Sequence, residues 1–349
     1  MSGAKNTRIA PSPSGHFHLG TARTAYFNWL AARSTGGKFI LRIDDTNTEK
    51  SQDEYIDVIY QAMNYLGLDY DLTFKQSDRK DRYNEVIDLM VAGGKAVHRD
   101  GAVFLNHTLT RDSFDDLALR NIKVTKIDTD FIQNMVLRKS DGMPTYHFAN
   151  VVDDIDYDIN MIIRGNDHTN NTMKQIALYE AINDALGTTV NLPQYAHVGL
   201  LCDLKTGKKL SKSDGATSLL DYQAQGVDAD AMNNFLLRLG WGPKVDDKTT
   251  AVLTKDRAME LFLTAGNLRG VHSKVDFAKL ASYDKKFKSM KRQAAAVPDT
   301  SAFVMEADTK VPMLDHHDRT MDMMAKIGKG DWSVQAALKA FSALDINKE

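Results

Sequence analysis

Apolar residues in the first ninety positions alternate between short continuous runs and helical spacing. Short runs at residues 8–10 and 38–43 predict strands, and the latter follows a Gly36-Gly37 turn. The spacing predicts helices over residues 19–33 and 79–92, the second ending at Gly93-Gly94. This strand–helix alternation is typical of an α/β fold with a parallel sheet.

A further helix is predicted between the second strand and the helix at residues 79–92. Ser51 and Glu54 form a capping-box pattern at its start, and Gly67 ends it. Its apolar face consists of Ile56, Ile59, Met63 and Leu66.

The alternation stops at residues 96–130, which contain turn residues and a charged stretch and predict a small inserted unit. It resumes with apolar runs at 135–138 and 145–149, which flank a hairpin-like turn at Asp141-Gly142. A strand at 161–164 and a helix around 173–186 follow. Beyond residue 245 the chain turns lysine-rich and helical. The expected domains are 1–95 and 131–245 as two halves of one α/β domain, 96–130 as the insertion and 246–349 as a helical domain.

Composition describes an ordinary soluble globular protein and excludes a disordered or fibrous one. The 349 residues are 43% hydrophobic and 26% charged, with a formal net charge of −2 that does not indicate a nucleic-acid partner. No stretch has the apolar core of a signal peptide or the length of a membrane span, so we expect a cytoplasmic protein with no membrane partner. The single cysteine, Cys202, excludes an intrachain disulfide.

Two loops carry the candidate chemistry. The first, residues 11–20, reads PSPSGHFHLG and leads from a strand into a helix, where free backbone N–H groups and the positive helix end favour a phosphate. The second, residues 208–213, reads KKLSKS and can bring mobile positive charge to the same phosphates. Either loop alone is more often ordinary surface structure, but the pair in this order indicates a nucleotide site.

The two loops resemble the HIGH and KMSKS motifs of class I aminoacyl-tRNA synthetases. Residues 8–30, 36–46, 144–154, 163–165 and 209–217 resemble, in that order, segments of bacterial glutamyl-tRNA synthetases. The resemblance implies a Rossmann-type parallel-sheet catalytic domain with a small insertion, followed by an α-helical stem-contacting domain. It also implies a monomer that binds L-glutamate, ATP and tRNA and makes glutamyl-adenylate before charging the terminal ribose.

The resemblance assigns roles to particular residues. His18, Lys209 and Lys212 would be catalytic, holding the phosphates in the transition state. The implied ATP-binding residues are Ser14, Gly15, His18, Gly20, Lys209, Ser211, Lys212 and Ser213. The implied glutamate-binding residues are Arg8, Ala10, Ser12, Asp44, Tyr146, Asn150, Arg164 and His168. A glutamate pocket needs cations for carboxylate and an acid for ammonium. Magnesium is expected with ATP, and neither a structural zinc nor any other protein-bound metal is expected.

The chain departs from the family pattern at three places. Asp44 stands where bacterial glutamyl enzymes usually have Glu. This departure leaves open whether the preferred amino acid is glutamate or glutamine. The insertion is short, and the chain stops at Glu349, where relatives begin their terminal anticodon-binding unit, so we expect that unit to be absent. Two alternatives therefore stay open: glutamate transfer to a modified nucleoside in tRNA or to a modified DNA base, and a non-catalytic synthetase-derived binding protein.

One stretch of the helical domain has two competing interpretations. Residues 284–292 carry five basic side chains around a single aromatic, Phe287. Such a run suits contact with a nucleic-acid backbone. It equally suits a solvated helix face.

Overall fold

A computed structural model describes residues 3–46, 51–189, 191–210, 218–243 and 252–296. The chain divides into two compact units, Met1–Ala295 and Ala296–Glu349, and the described residues belong to the first apart from Ala296. The predicted catalytic residue Lys212 and the predicted ATP-binding residues Ser211 and Ser213 lie outside the described residues.

The strands of the described chain are short and are separated by longer helices. The strands are β1 Thr7–Ile9, β2 Phe39–Ile43, β3 Leu72–Lys75, β4 Ala96–Arg99, β5 Ala102–Leu105, β6 Ser113–Asp116, β7 Arg120–Lys123, β8 Val136–Arg138, β9 Met161–Gly165, β10 Gln194–Val198, β11 Leu201–Asp203, β12 Trp241–Pro243, β13 Gly266–Leu268 and β14 Ser273–Val275. The α-helices are α1 Leu19–Arg33, α2 Asp53–Leu66, α3 Lys80–Ala92, α4 Lys126–Gln133, α5 Tyr146–Asp156, α6 Thr169–Leu186, α7 Leu219–Ala224, α8 Ala229–Arg238, α9 Lys255–Leu261 and α10 Phe277–Ala296.

Parallel strands form the centre of the fold, as the sequence predicts. β2 pairs in parallel with β1 and β3, and β10 pairs in parallel with β9 and β6. The two sets meet where the Asn6 carbonyl accepts hydrogen bonds from the backbone N–H groups of Asn160 and Met161, at 3.1 and 3.2 Å. Across this junction the order β3-β2-β1 continues into β9-β10-β6-β7, and β1 and β9 do not form a strand ladder among the described residues. Such a switch point in an open α/β sheet leaves a crevice at the carboxyl ends of the strands.

Helix α1 packs across this junction and is buried on nearly all sides. Ala22, Ala25, Phe27 and Leu30 have no exposed surface, and their neighbours in the largest core cluster come from α2, α8 and α9. Burial this complete explains why α1 lacks the polar face of an ordinary surface helix. The predicted bounds of 19–33 are confirmed.

Two local predictions are wrong. Helix α2 begins at Asp53 with Gln52 as its N-cap residue, so Ser51 does not open the predicted capping box. The turn at Asp141-Gly142 is present, with Gly142 at φ 82°, but its second arm is the helix α5 instead of a strand. Buried Phe148, Val151 and Val152 recur at helical spacing, which decides the local structure in favour of the helix.

Strand pairing crosses two of the predicted domain limits. β5 pairs with β8 and β6 pairs with β10, so strands from residues 96–130 share sheets with later strands. β12 pairs with β13 across residue 245. The predicted limits at 95, 130 and 245 remain predictions, and the described strands on the two sides of 130 and 245 are hydrogen-bonded to each other.

The basic stretch 284–292 lies on α10 and is partly neutralised. Phe287 is buried, Lys288 pairs with Asp284 at 2.7 Å, and Lys291 pairs with Asp228 at 2.7 Å. Lys285, Lys286 and Arg292 are exposed. Both interpretations of this stretch stay predictions.

Candidate active site

A cavity of about 440 Å³ opens at the carboxyl ends of β1, β2 and β9, beside the start of α1. Eleven of the predicted site residues line it: Arg8, Ala10, Ser12, His18, Gly20, Asp44, Tyr146, Asn150, Arg164, His168 and Lys209. Ser14 and Gly15 are not among the lining residues. The sheet thus brings together residues from both halves of the predicted catalytic domain, which lie more than 100 positions apart in sequence.

His18 is the N-cap residue of α1. Its side-chain Nδ1 accepts a hydrogen bond from the backbone N–H of Thr21 at 3.2 Å, which fixes the ring against the first helical turn. The first N–H groups of a helix have no acceptor within the helix itself. A helix N-terminus of this kind favours an anion such as a phosphate.

Lys209 projects towards the cavity from the segment that follows β11. Residue 209 forms a β-bridge with Cys202, and the Lys209 Nζ lies 3.4 Å from Asp167 Oδ2. The lysine side chain is 64% exposed. A long, exposed cation whose present partner is also exposed can move onto a phosphate at little cost, because surface ion pairs are weak.

A buried charge cluster lies against the cavity and contributes Asp44 and Asn150 to its lining. Arg42 on β2 donates from Nε to Asp44 Oδ1 at 2.6 Å and from Nη1 to Asp154 Oδ1 at 2.9 Å. It also contacts the Asn150 side-chain oxygen. Burial opposes the charge of Arg42, but Asp44, Asp154 and Asp153 raise its pKa above the ordinary value. Burial raises the pKa of Asp44 against the opposing effect of Arg42.

Asp44 and Asn150 are positioned by this cluster. The Asn150 side-chain nitrogen donates to the Tyr146 carbonyl at 2.9 Å and to Asp44 Oδ2 at 3.4 Å. Tyr146, the first residue of α5, is partly exposed at the cavity. Burial of its hydroxyl and the nearby Asp44 raise the pKa of Tyr146. These contacts place a carboxylate, an amide and a phenol on one side of the cavity.

Arg8 and Arg164 are both buried but have different partners. Arg8 donates to both carboxylate oxygens of Asp154, at 3.0 and 3.3 Å. Arg164 donates only to neutral acceptors in the described chain, which are His197 Nε2, Gln175 Oε1 and Thr172 Oγ1 at 3.0, 2.7 and 2.7 Å. Burial lowers the pKa of Arg164; Tyr146 opposes this shift, and the charge of Arg8 adds to it. A buried guanidinium with neutral partners favours an anionic ligand.

His168 follows β9 in a short 3₁₀ turn and lies beside Asp167. Its Nδ1 is 3.2 Å from the Asn171 side-chain nitrogen. Burial and the charge of Arg164 lower the pKa of His168, which favours the neutral ring. It can therefore act as a hydrogen-bonding group at the cavity rim rather than as a fixed cation.

Several residues at the site escaped the sequence analysis. They are Thr21, Arg23, Arg42, Asp116, Asp154, Thr172, Gln175 and His197. His197 offered a signal, since it is a polar residue inside the buried run of β10. Thr21 bonds His18 within the first turn of α1, and Thr172 and Gln175 bond Arg164 from the helix that follows it. The remaining residues act through contacts between distant segments, which no local pattern shows.

No helix among the described residues is long and apolar enough to cross a membrane. Within the same residues, no group of three or more His, Cys, Asp or Glu side chains is arranged to hold a metal ion.

Known proteins resemble the chain in sequence and in fold. The family model for tRNA synthetases class I (E and Q), catalytic domain, matches residues 5–101 and 105–280. The glutamate–tRNA ligase 2 of Neorickettsia sennetsu is 46% identical over 237 residues, which cover 67% of this chain and 55% of that protein. The glutamate–tRNA ligase of Stenotrophomonas maltophilia is 36% identical over 332 residues, covering 84% of this chain and 68% of that protein.

A crystal structure of a glutamate tRNA ligase from Elizabethkingia meningosepticum with its amino acid has the same fold. Its TM-score is 0.73 at 22% identity, and the match covers 92% of this chain and 76% of that one. The chain spans little more than half the length of the Neorickettsia relative. With a family model matching more than half of its residues, the chain belongs to the class I tRNA synthetases of the glutamyl and glutaminyl group.

Proposed function

We propose that this chain activates L-glutamate with ATP and transfers it to the terminal ribose of a tRNA. The observation that carries the proposal is Arg164, a buried guanidinium on the cavity wall with neutral partners throughout the described residues. An amino acid with a side-chain carboxylate is the ligand that compensates this charge best. Relatives named glutamate–tRNA ligase support the same assignment.

The cavity offers a group for each charge of the two substrates. Arg164, with Arg8 beside it, faces the side-chain carboxylate, and Asp44 faces the ammonium. His18, the N–H groups at the start of α1 and Lys209 face the phosphates of ATP, and Lys212 is proposed to join them. Magnesium enters with ATP as part of that substrate.

Activation requires two anions to approach each other. An α-carboxylate oxygen of glutamate attacks the α-phosphorus of ATP, and the bond to the β-phosphate oxygen breaks so that pyrophosphate leaves. In the second step a ribose hydroxyl of the tRNA attacks the glutamyl carbonyl, and AMP leaves. The protein contributes mainly positioning and cationic groups, which lower the barrier by holding the reacting atoms together and by neutralising the leaving group.

The test is transfer of radiolabelled glutamate, with ATP and magnesium, onto tRNA and total nucleic acid. We expect label on intact tRNA and its loss when periodate has oxidised the terminal ribose. Label that persists after oxidation, or that goes to DNA, would contradict the tRNA acceptor and leave the activation step standing. Formation of neither adenylate nor charged product would contradict the whole proposal.

A variant pair tests the role of Lys209 in the same assay. Lys209→Ala is expected to lower kcat by on the order of 100-fold, because one transition-state cation is lost. Lys205→Ala is the matched control, since Lys205 is an exposed lysine of the same hairpin whose backbone N–H bonds Asp203. Equal rates for the two variants would contradict the assignment of Lys209.

A further inference from the structure

Arg164 is held by a layer of buried side chains behind the cavity. Its guanidinium has five N–H donors, of which three bond His197, Gln175 and Thr172. In the described part of the chain the other two have no partner, and Arg164 lines the cavity. The direction of these two N–H groups is therefore set by the three neutral acceptors.

One of these acceptors, His197, is itself oriented by a carboxylate. His197 on β10 has no exposed surface, and its Nδ1 lies 2.6 Å from Asp116 Oδ2. Asp116 ends β6 and also accepts hydrogen bonds from the backbone N–H groups of Ala118 and Leu119, both at 2.8 Å. It accepts a third from the backbone N–H of His197 at 3.0 Å. The carboxylate is fixed from three directions.

An ionised carboxylate only accepts hydrogen bonds, so the proton of a neutral His197 ring resides on Nδ1. Nε2 then carries the lone pair that accepts from Arg164 Nε. Burial lowers the pKa of His197, which favours the neutral ring. Although burial opposes ionisation of Asp116, the hydrogen bond from His197 holds the pKa of Asp116 below its ordinary value.

We propose that Asp116 and His197 are positioning residues that aim Arg164 into the cavity, and that they thereby set the preference for glutamate over glutamine. The inference rests on the proposed function, because it concerns the same amino-acid pocket. A carboxylate gains from a correctly aimed guanidinium far more than a neutral amide does. A misoriented Arg164 therefore weakens the binding of glutamate more than that of glutamine.

Asp116→Asn tests this relay, meaning the orientation of Arg164 by Asp116 through His197. The substitution leaves the size and shape of the side chain almost unchanged. The asparagine amide can donate to Nδ1, which moves the ring proton to Nε2. The N–H at Nε2 then faces the N–H of Arg164, and two donors cannot form a hydrogen bond. A comparable Asp→Asn change next to a histidine in serine proteases leaves the geometry intact but selects the wrong tautomer. We expect KM for glutamate to rise about 10- to 100-fold with a smaller change in kcat and an unchanged KM for ATP, because the lost interaction belongs to substrate binding.

The preference for glutamate over glutamine in kcat/KM, assayed with tRNA present, should fall by about the same factor. Asp115→Asn is the matched control, because Asp115 is the neighbouring exposed residue of β6, and among the described residues its side chain accepts a hydrogen bond from the Asn121 side chain alone. It should leave the glutamate preference unchanged. A general loss of folding would lower activity with both amino acids and leave their ratio in place.

A second variant pair decides the question even where Asp116→Asn fails to fold. His197→Gln keeps an oxygen near Nε2 that can accept from Arg164, whereas His197→Asn keeps a donor towards Asp116 but offers Arg164 no acceptor. We expect His197→Gln to retain most of the glutamate preference and His197→Asn to lose it. A glutamate preference equal to that of the wild type in both His197→Gln and His197→Asn would overturn the inference.

Calorimetric titration of the wild-type chain with glutamate distinguishes a failure of the relay from a failure of the proposed function. Wild-type protein that binds glutamate, with variants that bind it equally well and discriminate equally well, would overturn the relay alone. Wild-type protein that neither binds nor activates glutamate would contradict the proposed function and the relay with it.

Discussion

Arg8 and Arg164 show how identical side chains acquire different roles from their surroundings. Asp154 accepts two hydrogen bonds from Arg8, so that the charge is compensated within the protein. Arg164 has a histidine, an amide and a hydroxyl as its described partners. An anionic ligand therefore gains more from Arg164, while Arg8 shapes the pocket and adds positive potential.

The sequence predicted eleven of the residues that line the cavity but not how their side chains are paired. Arg8, Asp44, Asn150 and Arg164 were identified through motif resemblance, and all four line the cavity. Their partners were not predictable, because the Arg8–Asp154 contact joins residues 146 positions apart. Whether a buried arginine is compensated depends on such contacts, and these arise only once the sheet has assembled.

His147 is expected to make folding sensitive to mild acid. It lies on α5 between the rings of Tyr146 and Phe131, and its Nδ1 is buried with no hydrogen-bond partner in the described chain. Burial, and next the charge of Lys174, lower the pKa of His147 to about 4. The unfolded chain protonates near pH 6.5 and the folded one only near pH 4, so the stability from the neutral ring is lost as the pH falls between these values.

The prediction is checked by the melting temperature of wild-type protein and of His147→Phe between pH 7.5 and pH 4. The phenylalanine ring keeps the aromatic contacts but cannot bind a proton. We expect the Tm of the variant to fall less steeply below pH 6.5 than that of the wild type. Measurements at pH 7.5, where the histidine is neutral in both states, serve as the reference, and parallel curves over the whole range would contradict the prediction.

At the scale of elements, the local sequence pattern predicted some helices well and missed the start of another. The bounds of α1 were predicted correctly because a strand-loop-helix motif leads into it, whereas the start of α5 was missed. Residues 145–149 are too few to separate a strand from the first turn of a helix, and the decision comes from Val151 and Val152 further along.

Asn28 joins α1 to the sheet at the point where β1 and β9 separate. Its side-chain nitrogen donates to the Ile163 carbonyl at 2.8 Å, and the backbone N–H of Ile163 donates to its oxygen at 3.4 Å. The side chain thus replaces a neighbouring strand along the edge of β9, one residue before Arg164. The crevice can open there without leaving the backbone groups of β9 unpaired.

Asn28→Leu should therefore destabilise the fold by about 2 kcal/mol or more, since it leaves two buried backbone groups of Ile163 without partners. Urea unfolding followed by circular dichroism measures the loss. Asn64→Leu on the exposed face of α2 is the matched control, and we expect a change within about 0.5 kcal/mol for a surface substitution of this kind. An Asn28→Leu variant as stable as the control would show that the amide is not needed at the junction.

Across the whole first unit, buried charges join segments that lie far apart in the chain. Arg8 and Arg42 belong to β1 and β2, and Asp153 and Asp154 belong to α5. Removing one member of such a cluster leaves an uncompensated buried charge, which costs about 3–5 kcal/mol. The parallel sheet and the position of the candidate site were predictable from motif order, but this cluster required the relative placement of the two halves.

The residues beyond the predicted limit at 245 are expected to be part of the catalytic core. Phe262, from the turn after α9, stacks on Trp241 with ring centroids 5.9 Å apart and packs on Phe27 of α1 at 5.6 Å. The Trp241 Nε1 donates to the Phe262 carbonyl at 2.9 Å. Buried side chains beyond residue 243 cover part of this core. They include Leu253, Leu261, Phe262, Val275 and Leu280. A chain ending at 243 would expose the surfaces that these side chains cover.

Full burial of a large apolar side chain contributes about 1.5–3 kcal/mol, so the loss of several is on the order of 10 kcal/mol. That equals the whole stability of a typical domain. We therefore expect a chain of residues 1–243 to be aggregated or unfolded at 25 °C, as judged by circular dichroism and limited proteolysis, whereas the control chain 1–296 keeps a cooperative thermal transition. A soluble 1–243 chain that melts at the same temperature as 1–296 would place an independent domain boundary at 245, and the contacts of Phe262 would then be a docking surface between domains rather than part of one core.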